Sequence, residues 1–133
     1  IRGGRGAVDK LLEKNMHAVL IENDQLRWYM ERGSVLAGFK EAPLNFKPTF
    51  KFDKMSDTYD TSKKKRIPAW TDRVLYVDRG LDCVGYDAVT NLRTSDHRPV
   101  YASFYADIES DGSHMKILDQ PEYAEESQVC TLM

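Results

Sequence analysis

The segment RTSDHRPVYASF, residues 93–104, contains the clearest strand pattern in the chain and a candidate for chemistry directly beside it. From Val100 onward apolar and polar side chains alternate, and Pro99 stands at the first position, as is typical of a half-buried strand. Asp96 and His97 come just before it. Adjacent side chains on a strand or in a tight turn point in different directions, so Asp96 is poorly placed to orient the His97 ring.

A carboxylate from another part of the chain therefore has to hold the imidazole of His97. Asp72, in the segment PAWTDRVLY of residues 68–76, is the candidate because it also borders a predicted strand. One carboxylate then orients the ring, while Asp96 faces a metal ion or a water molecule. The residues Ser95-Asp96-His97 alone leave a second interpretation open, in which Asp96 caps a turn and His97 is solvated.

The remaining patterns predict one domain of mixed α and β structure in which the helices come first. Two amphipathic helices are expected over residues 5–16 and 23–33, the second capped by Asn23 or Asp24 and stopped at Gly33. A loop leads into a short strand near residue 52, and further strands are expected at residues 69–77, 82–86 and 99–106. We assign residues 1–107 to the domain and residues 108–133 to an acidic, flexible tail.

The charge distribution is uneven. The net charge of −2 argues against nucleic acid as a partner. Between residues 47 and 79, however, nine Lys and Arg residues face five Asp residues, and residues 63–66 form the run KKKR. Lysine as a point charge and arginine as a fork suit a phosphate-rich ligand. The alternative is that this run is only a solvated face.

The two cysteines, Cys83 and Cys130, are far apart, which fits a reducing compartment and indicates neither a disulfide framework nor a zinc site. Cys130 begins the final four residues, CTLM, which fit a C-a-a-X prenylation box in which Met133 favours farnesyl. A match of four residues can also arise by accident. The first residue is Ile1 and not Met, and we expect the chain to be part of a longer protein.

Three segments together resemble the inositol polyphosphate 5-phosphatases, and the similarity covers about residues 3–107. The segments are ENDQLRWYMERGSVLAGFKEAPLNFKPTFKFD, DTYDTSKKKRIPAWTDRVLY and TSDHRPVYASF. The start GGRGAVDKLL and the terminal CTLM are most similar to the E-type branch. The resemblance implies the C-terminal half of a DNase-I-like (endonuclease/exonuclease/phosphatase) α+β fold, in which helices flank two packed β-sheets.

The same resemblance implies a magnesium-dependent phosphatase that removes the 5-phosphate from phosphatidylinositol 4,5-bisphosphate, from the 3,4,5-trisphosphate, or from both. His97 corresponds to the histidine that contacts the scissile phosphate, Asp72 to the residue that orients it, and Asp96 to a residue beside Mg²⁺ and the attacking water. The family's other metal-binding and water-activating motifs are not among these residues. We therefore expect the parent protein to be the enzyme and the 133-residue chain alone to be inactive.

By the resemblance, Lys51, Lys64 and Arg66 match the positions that hold the neighbouring 4-phosphate of the inositol ring. Two residues depart from the family pattern. Phe50 stands where Tyr is common, so one hydroxyl contact to phosphate is missing, and Thr71 stands where Cys is common.

A single farnesyl group at Cys130 predicts weak, reversible membrane attachment, because the residues before it are acidic and provide no second anchor. We expect the cytoplasmic face of the Golgi, the cilium or the plasma membrane, with help from a prenyl-binding carrier. Two alternatives remain: a phosphoinositide-binding module without catalysis, and another metal-dependent phosphodiesterase of the same fold, such as an apurinic endonuclease or a sphingomyelinase.

Overall fold

The structure, a computed structural model, describes residues 4–108. Three helices come first and four strands follow, so the chain has the predicted α+β class. The helices are α1 (Gly4–Glu13), α2 (His17–Ile21) and α3 (Gln25–Glu31), and the strands are β1 (Phe39–Lys40), β2 (Tyr76–Val77), β3 (Leu81–Ala88) and β4 (Val100–Ala106). The predicted tail of residues 108–133, with Cys130, lies outside the described residues except for its first position.

The first predicted helix is confirmed as α1 but ends earlier than expected. Asn15 adopts a left-handed backbone conformation with φ 55°, and the amide of Met16 donates to the carbonyl of Leu11 at 2.8 Å. A residue in this conformation commonly ends an α-helix. The chain then turns into α2, which the sequence patterns did not predict.

The second predicted helix is confirmed as α3, with Asp24 as its cap. The Asp24 side chain accepts a hydrogen bond from the amide of Arg27 at 2.9 Å, which satisfies one of the unpaired amides of the first turn. Gly33 follows the helix at φ 64°, a conformation that glycine adopts without a steric penalty. The predicted stop at Gly33 is therefore also confirmed.

The strands form two separate antiparallel pairs. β1 pairs with β2, and β3 pairs with β4 from Leu81 opposite Ala106 to Ala88 opposite Val100, with a shift in register between Cys83 and Gly85. The strands expected at residues 82–86 and 99–106 are thus confirmed as β3 and β4. The rings of Tyr76 and Phe104, one from each pair, meet edge to face at 4.9 Å.

The strand predicted over residues 69–77 is wrong for most of its length, because only Tyr76–Val77 belong to a strand. The polar groups of this segment are engaged by side chains and loops rather than by a ladder. The Trp70 indole donates to the carbonyl of Phe46 at 3.0 Å, and the amide of Val74 donates to the Tyr86 hydroxyl at 3.1 Å. The β-branched and aromatic residues of this segment pack against and anchor other parts of the chain. Their strand propensity does not reveal whether they do this or join a sheet.

The core lies between the first two helices and the segments that carry the candidate site. Val8 and Leu12 of α1 and Leu20 of α2 pack with buried side chains from the loops, namely Leu44, Phe46 and Trp70. This cluster places Trp70 two residues before Asp72 and so ties the Asp72 segment to the helices. Among residues 4–108, no helix is long and apolar enough to cross a bilayer.

Candidate active site

The His97 ring and the Asp72 carboxylate are in direct contact. His97 Nδ1 lies 2.7 Å from Asp72 Oδ2. A carboxylate only accepts hydrogen bonds, so Nδ1 carries the hydrogen and donates it, and Nε2 is the nitrogen that faces away from Asp72. The contact that the sequence predicted between these two residues is present, although 25 residues separate them.

Two threonine hydroxyls also donate to the Asp72 carboxylate. Thr71 Oγ1 lies 3.0 Å and Thr49 Oγ1 lies 3.4 Å from the same Oδ2 atom that accepts from His97. Thr49 is buried. Three donors thus converge on one oxygen, which fixes the orientation of the carboxylate and through it the ring. The sequence patterns missed Thr49 because its partner lies 23 residues away and no local motif marks it.

The Asp72 segment and the His97 turn are held together by the short strip of residues 49–52 between them. Phe50 pairs with Ala69 on one side, through backbone hydrogen bonds of 3.1 and 2.8 Å, and bridges to His97 on the other. The Phe50 and His97 rings lie 4.7 Å apart, and the peptide bond between Phe50 and Lys51 is cis. This strip sets how closely the acid and the imidazole approach.

A buried arginine fixes the turn that carries His97. Arg98 is 2% exposed, its Nη1 donates to the carbonyl of Ser95 at 3.3 Å, and its Nη2 donates to the carbonyl of Ser56. Its guanidinium stacks over the Phe52 ring with 3.9 Å between the Cζ atom and the ring centre. Arg98 therefore clamps the His97 turn to the loop before the basic run, a role that the sequence patterns did not suggest.

Asp96 faces Lys51 rather than the His97 ring nitrogens. Its Oδ2 atom lies 3.3 Å from Lys51 Nζ. The hydrogen bond from Lys51 lowers the pKa of Asp96 below its ordinary value, against the opposing effect of partial burial. The expectation that neighbouring Asp96 and His97 side chains diverge therefore agrees with the structure, and Lys51 and Asp96 form a second charged pair beside the first.

The basic loop is attached to the Lys51 strip through Asp60. The Asp60 amide donates to the carbonyl of Lys51 at 2.9 Å, and its carboxylate accepts from the amides of Ser62 at 3.0 Å and Arg66 at 2.8 Å. The side chains of Lys64 and Arg66 are exposed, and in the described part of the chain no hydrogen bond joins them to His97. The structure thus brings together His97, Asp72, Asp96 and Lys51, with the other two cations on an adjoining loop.

Arg73, next to Asp72, belongs to a buried ion network. It contacts Asp24 at 3.0 Å and both carboxylate oxygens of Glu41, and Glu41 also accepts from the Tyr86 hydroxyl at 2.8 Å. Burial opposes the charge on Arg73, but the hydrogen bonds and charges of Glu41 and Asp24 outweigh it and raise the pKa of Arg73. The network joins α3 to β3 and holds the backbone immediately after Asp72.

The described residues do not by themselves form a metal site. No group of three or more His, Cys, Asp or Glu side chains that could hold a metal ion occurs among residues 4–108. Asp96 supplies a single carboxylate beside His97, and this carboxylate is engaged by Lys51. Hard divalent cations such as Mg²⁺ take several oxygen ligands, so Asp96 can contribute at most part of such a site.

An open cleft of about 670 Å³ borders the acid–imidazole pair. Its lining includes Thr71, Asp72, Ser95 and His97, and the His97 and Asp72 side chains are 40% and 43% exposed. The cleft is large enough for a small polar ligand, and the exposed imidazole can contact such a ligand directly. The chemistry available is a positively chargeable ring steadied by an acid, with lysine and arginine nearby.

Residues 1–103 match the family described as Endonuclease/Exonuclease/phosphatase family 2. The chain belongs to this endonuclease/exonuclease/phosphatase family. Among relatives in the family, the mouse phosphatidylinositol polyphosphate 5-phosphatase type IV is 42% identical over 114 residues, which is 81% of this chain and 18% of that protein. The chain therefore belongs with the inositol polyphosphate 5-phosphatases, as the resemblance of its motifs predicts, and spans a small part of their length.

Solved structures have backbones similar to that of this chain. The inositol polyphosphate 5-phosphatase domain of SpSynaptojanin, in complex with inositol (1,4)-bisphosphate and a calcium ion, matches with a TM-score of 0.76 and 43% identity, covering 80% of this chain and 31% of that one. A Cimex nitrophorin in a ferrous NO complex matches with a TM-score of 0.71 and 31% identity, covering 81% and 38%. The DNase-I-like fold predicted from the motifs is thus confirmed.

Proposed function

We propose that the protein carrying this chain is a magnesium-dependent phosphatase that removes the 5-phosphate from phosphatidylinositol 4,5-bisphosphate, from the 3,4,5-trisphosphate, or from both. The observation that carries the proposal is the hydrogen bond from His97 to Asp72 beside a loop of four consecutive cations. Support comes from the type IV relative and from the neighbour solved with an inositol bisphosphate and a divalent metal.

In this reaction the His97 ring donates from Nε2 to a phosphoryl oxygen, and Asp72 stabilises the positive charge that the ring carries. Lys51, Lys64 and Arg66 bind the adjacent 4-phosphate, because a multiply charged headgroup needs several cations on one side. The proposed role of Asp96, which pairs with Lys51, is to orient the attacking water. When bound, Mg²⁺ supplies further charge neutralisation at the phosphoryl group, and Asp96 is the one ligand that we propose from this chain.

Two substitutions in the full-length protein test the proposal. His97→Ala should lower turnover by about 10³-fold or more, because it removes a charge-stabilising donor at the phosphoryl group. Lys64→Ala should mainly raise KM for substrates that carry a 4-phosphate. Lys14→Ala, an exposed lysine at the end of α1, is the matched control. Wild-type rates for both site variants on every phosphoinositide would overturn the assignment.

The metal and the role of the 133-residue chain are tested in the same assay. Full-length protein should lose activity in a chelator and regain it with Mg²⁺. The 133-residue chain by itself should show no turnover, because its described residues lack a complete metal site. Magnesium-dependent phosphate release by the 133-residue chain would contradict this part of the proposal.

A second candidate is a phosphoinositide-binding module without catalysis. The nitrophorin neighbour supports this alternative, because a protein with a similar backbone has a name that does not describe a phosphatase. The paired Asp72 and His97 count against it, since a binding module needs the cations but not an oriented imidazole. Vesicle binding by the full-length protein without any phosphate release would establish this alternative.

We further propose that Cys130 is farnesylated and that the protein attaches reversibly to the cytoplasmic face of the Golgi, the cilium or the plasma membrane, helped by a prenyl-binding carrier. The support is the terminal CTLM and the acidic segment before it. Metabolic labelling with a farnesyl analogue should mark the wild type and the Cys83→Ser control but not Cys130→Ser. Equal labelling of wild type and Cys130→Ser would reject this site.

A further inference from the structure

We infer that Asp60 is a positioning residue for the anion-binding loop: its buried carboxylate folds residues 60–66 so that the backbone at Arg66 stays next to the Lys51 strip. This inference rests on the proposed function, since it concerns how the cations of that site are held. It identifies a residue that carries no positive charge and that motif and charge patterns alone do not single out.

The hydrogen bonds of Asp60 form a continuous path from one cation to the next. The Lys51 carbonyl accepts from the Asp60 amide at 2.9 Å, and the Asp60 carboxylate accepts from the amides of Ser62 at 3.0 Å and Arg66 at 2.8 Å. The Asp60 side chain, which is only 2% exposed, thus binds the backbone just before the basic run and at its last residue. Such a short closed loop cannot move Arg66 away from Lys51 without breaking these bonds.

Arg5 of α1 holds the same loop from its other side. Its Nη1 atom donates to the carbonyl of Asp60 at 3.2 Å and to the carbonyl of Arg66 at 2.6 Å, while its Nε binds Asp9. The first and last residues of the loop are therefore bridged twice, once by the Asp60 carboxylate and once by the Arg5 guanidinium. The helix that carries Arg5 is anchored in the core through Val8 and Leu12.

The loop needs this support for two physical reasons. Lys63, Lys64, Lys65 and Arg66 carry like charges, so a loop that holds them close together has to be stabilised by other contacts, and the Asp60 carboxylate supplies two of these through the amides of Ser62 and Arg66. Lys65 also has φ 40°, a left-handed conformation that costs a non-glycine residue free energy unless its surroundings enforce it. A preorganised loop binds an anion more tightly than a mobile one, because less conformational entropy is lost on binding.

A purely structural role for Asp60 would weaken folding without any preference among substrates. A positioning role predicts a selective effect on the phosphate that the loop binds. The two roles therefore differ in the ratio of KM values for two substrates that share the 5-phosphate, one with the adjacent 4-phosphate and one without it. Asp82 provides the control, because it is exposed on β3 and its carboxylate makes no hydrogen bond to the loop of residues 60–66.

The experiment measures kcat and KM for phosphatidylinositol 4,5-bisphosphate and for phosphatidylinositol 5-phosphate with the full-length protein. Asp60→Asn keeps the shape but presents an NH₂ group to one of the two amides, and the loss of a charged acceptor predicts about a tenfold higher KM for the bisphosphate. We expect kcat to stay within about twofold, the KM for the monophosphate to change little, and Asp82→Asn to behave as wild type.

The possible failures are distinguishable. A wild-type protein that hydrolyses neither lipid contradicts the proposed function itself. An active wild type with an Asp60→Asn variant that keeps its KM ratio, or that loses kcat equally on both lipids, overturns the positioning inference alone. Should Asp60→Asn not fold, Arg5→Gln removes the second bridge of the same loop, and the same selective rise in KM is expected.

Discussion

The Asp72→Asn substitution removes one negative charge from the site and changes little else. Three donors, from His97, Thr71 and Thr49, point at the same oxygen of Asp72. They will turn the oxygen of the substituted amide toward themselves, because its NH₂ group would face donors. The orientation of the His97 ring is therefore retained, and the decrease in kcat measures the effect of the lost charge rather than of a changed geometry.

The expected decrease in kcat follows from the solvent exposure of the His97 and Asp72 side chains. A hydrogen bond to a charged group contributes about 1.5–3 kcal/mol, and the His97 and Asp72 side chains are 40% and 43% exposed. Because solvent screens a charge at such exposure, the lower part of that range, about 1.5–2 kcal/mol, applies. At about 1.4 kcal/mol per tenfold change in rate, kcat should fall by about 10- to 30-fold. In a serine-protease triad, the corresponding acid-to-amide change lowers kcat by about 10⁴-fold because it gives the wrong imidazole tautomer.

The assay is phosphate release from saturating phosphatidylinositol 4,5-bisphosphate in mixed micelles by the full-length protein. Asp78→Asn is the matched control, because Asp78 also pairs with a cation, Lys40, and its side chain is 44% exposed. An unchanged kcat for Asp72→Asn would refute the role of Asp72 in supporting the His97 charge. A loss near 10⁴-fold would instead refute the argument that the amide oxygen keeps accepting from His97, because a loss of about that size indicates a changed imidazole tautomer.

Two further predictions concern the groups that hold the site. Arg73→Ala leaves the Asp24 and Glu41 carboxylates, each 12% exposed, without their counter-charge. The free energy of unfolding measured in urea should therefore fall by about 3–5 kcal/mol. The control Arg27→Ala, on the exposed face of α3, should change this free energy little. The Arg66 amide and the other donors of the basic loop lower the pKa of Asp60 from 3.8 to about 2, so the stability that it contributes is complete above about pH 4 and is lost as the pH falls toward 2. The protection factors of the loop amides, which are corrected for the intrinsic exchange rate at each pH, should fall over that interval, and unchanged protection factors would contradict the assigned contacts.

Local signals were sufficient for some elements of this fold. The α3 helix is marked by a capping acid at Asp24 and a glycine at position 33, and β4 by strict alternation after Pro99. Each signal acts within a few residues of the backbone that it determines, so no tertiary contact is needed to recognise it. The pairing of Asp72 with His97 was predicted for a different reason, namely that the side chain of the adjacent Asp96 points away and cannot orient the His97 ring.

Other features could not be predicted because they depend on distant partners. The segment of residues 69–77 has strand-forming residues, yet its groups bind Phe46 and Tyr86 instead of a ladder. Thr49 and Asp60 act on the site through contacts to segments that the sequence does not mark as neighbours. A side chain whose role is to accept backbone amides carries no motif of its own, and only the folded chain reveals what it holds.

The backbone of this family does not by itself select a chemistry, since a nitrophorin and a 5-phosphatase domain both superpose on the chain. In this chain the candidate side chains are arranged on either side of Phe50. Its backbone pairs with Ala69 and bridges to His97, so one short strip determines both the acid and the imidazole position. Lys51, the next residue, contacts Asp96 and, through Asp60, the basic loop. The candidate groups are therefore all connected to this one strip. The His97 ring and the cations that we propose to bind adjacent phosphates are thus positioned by the same short piece of backbone.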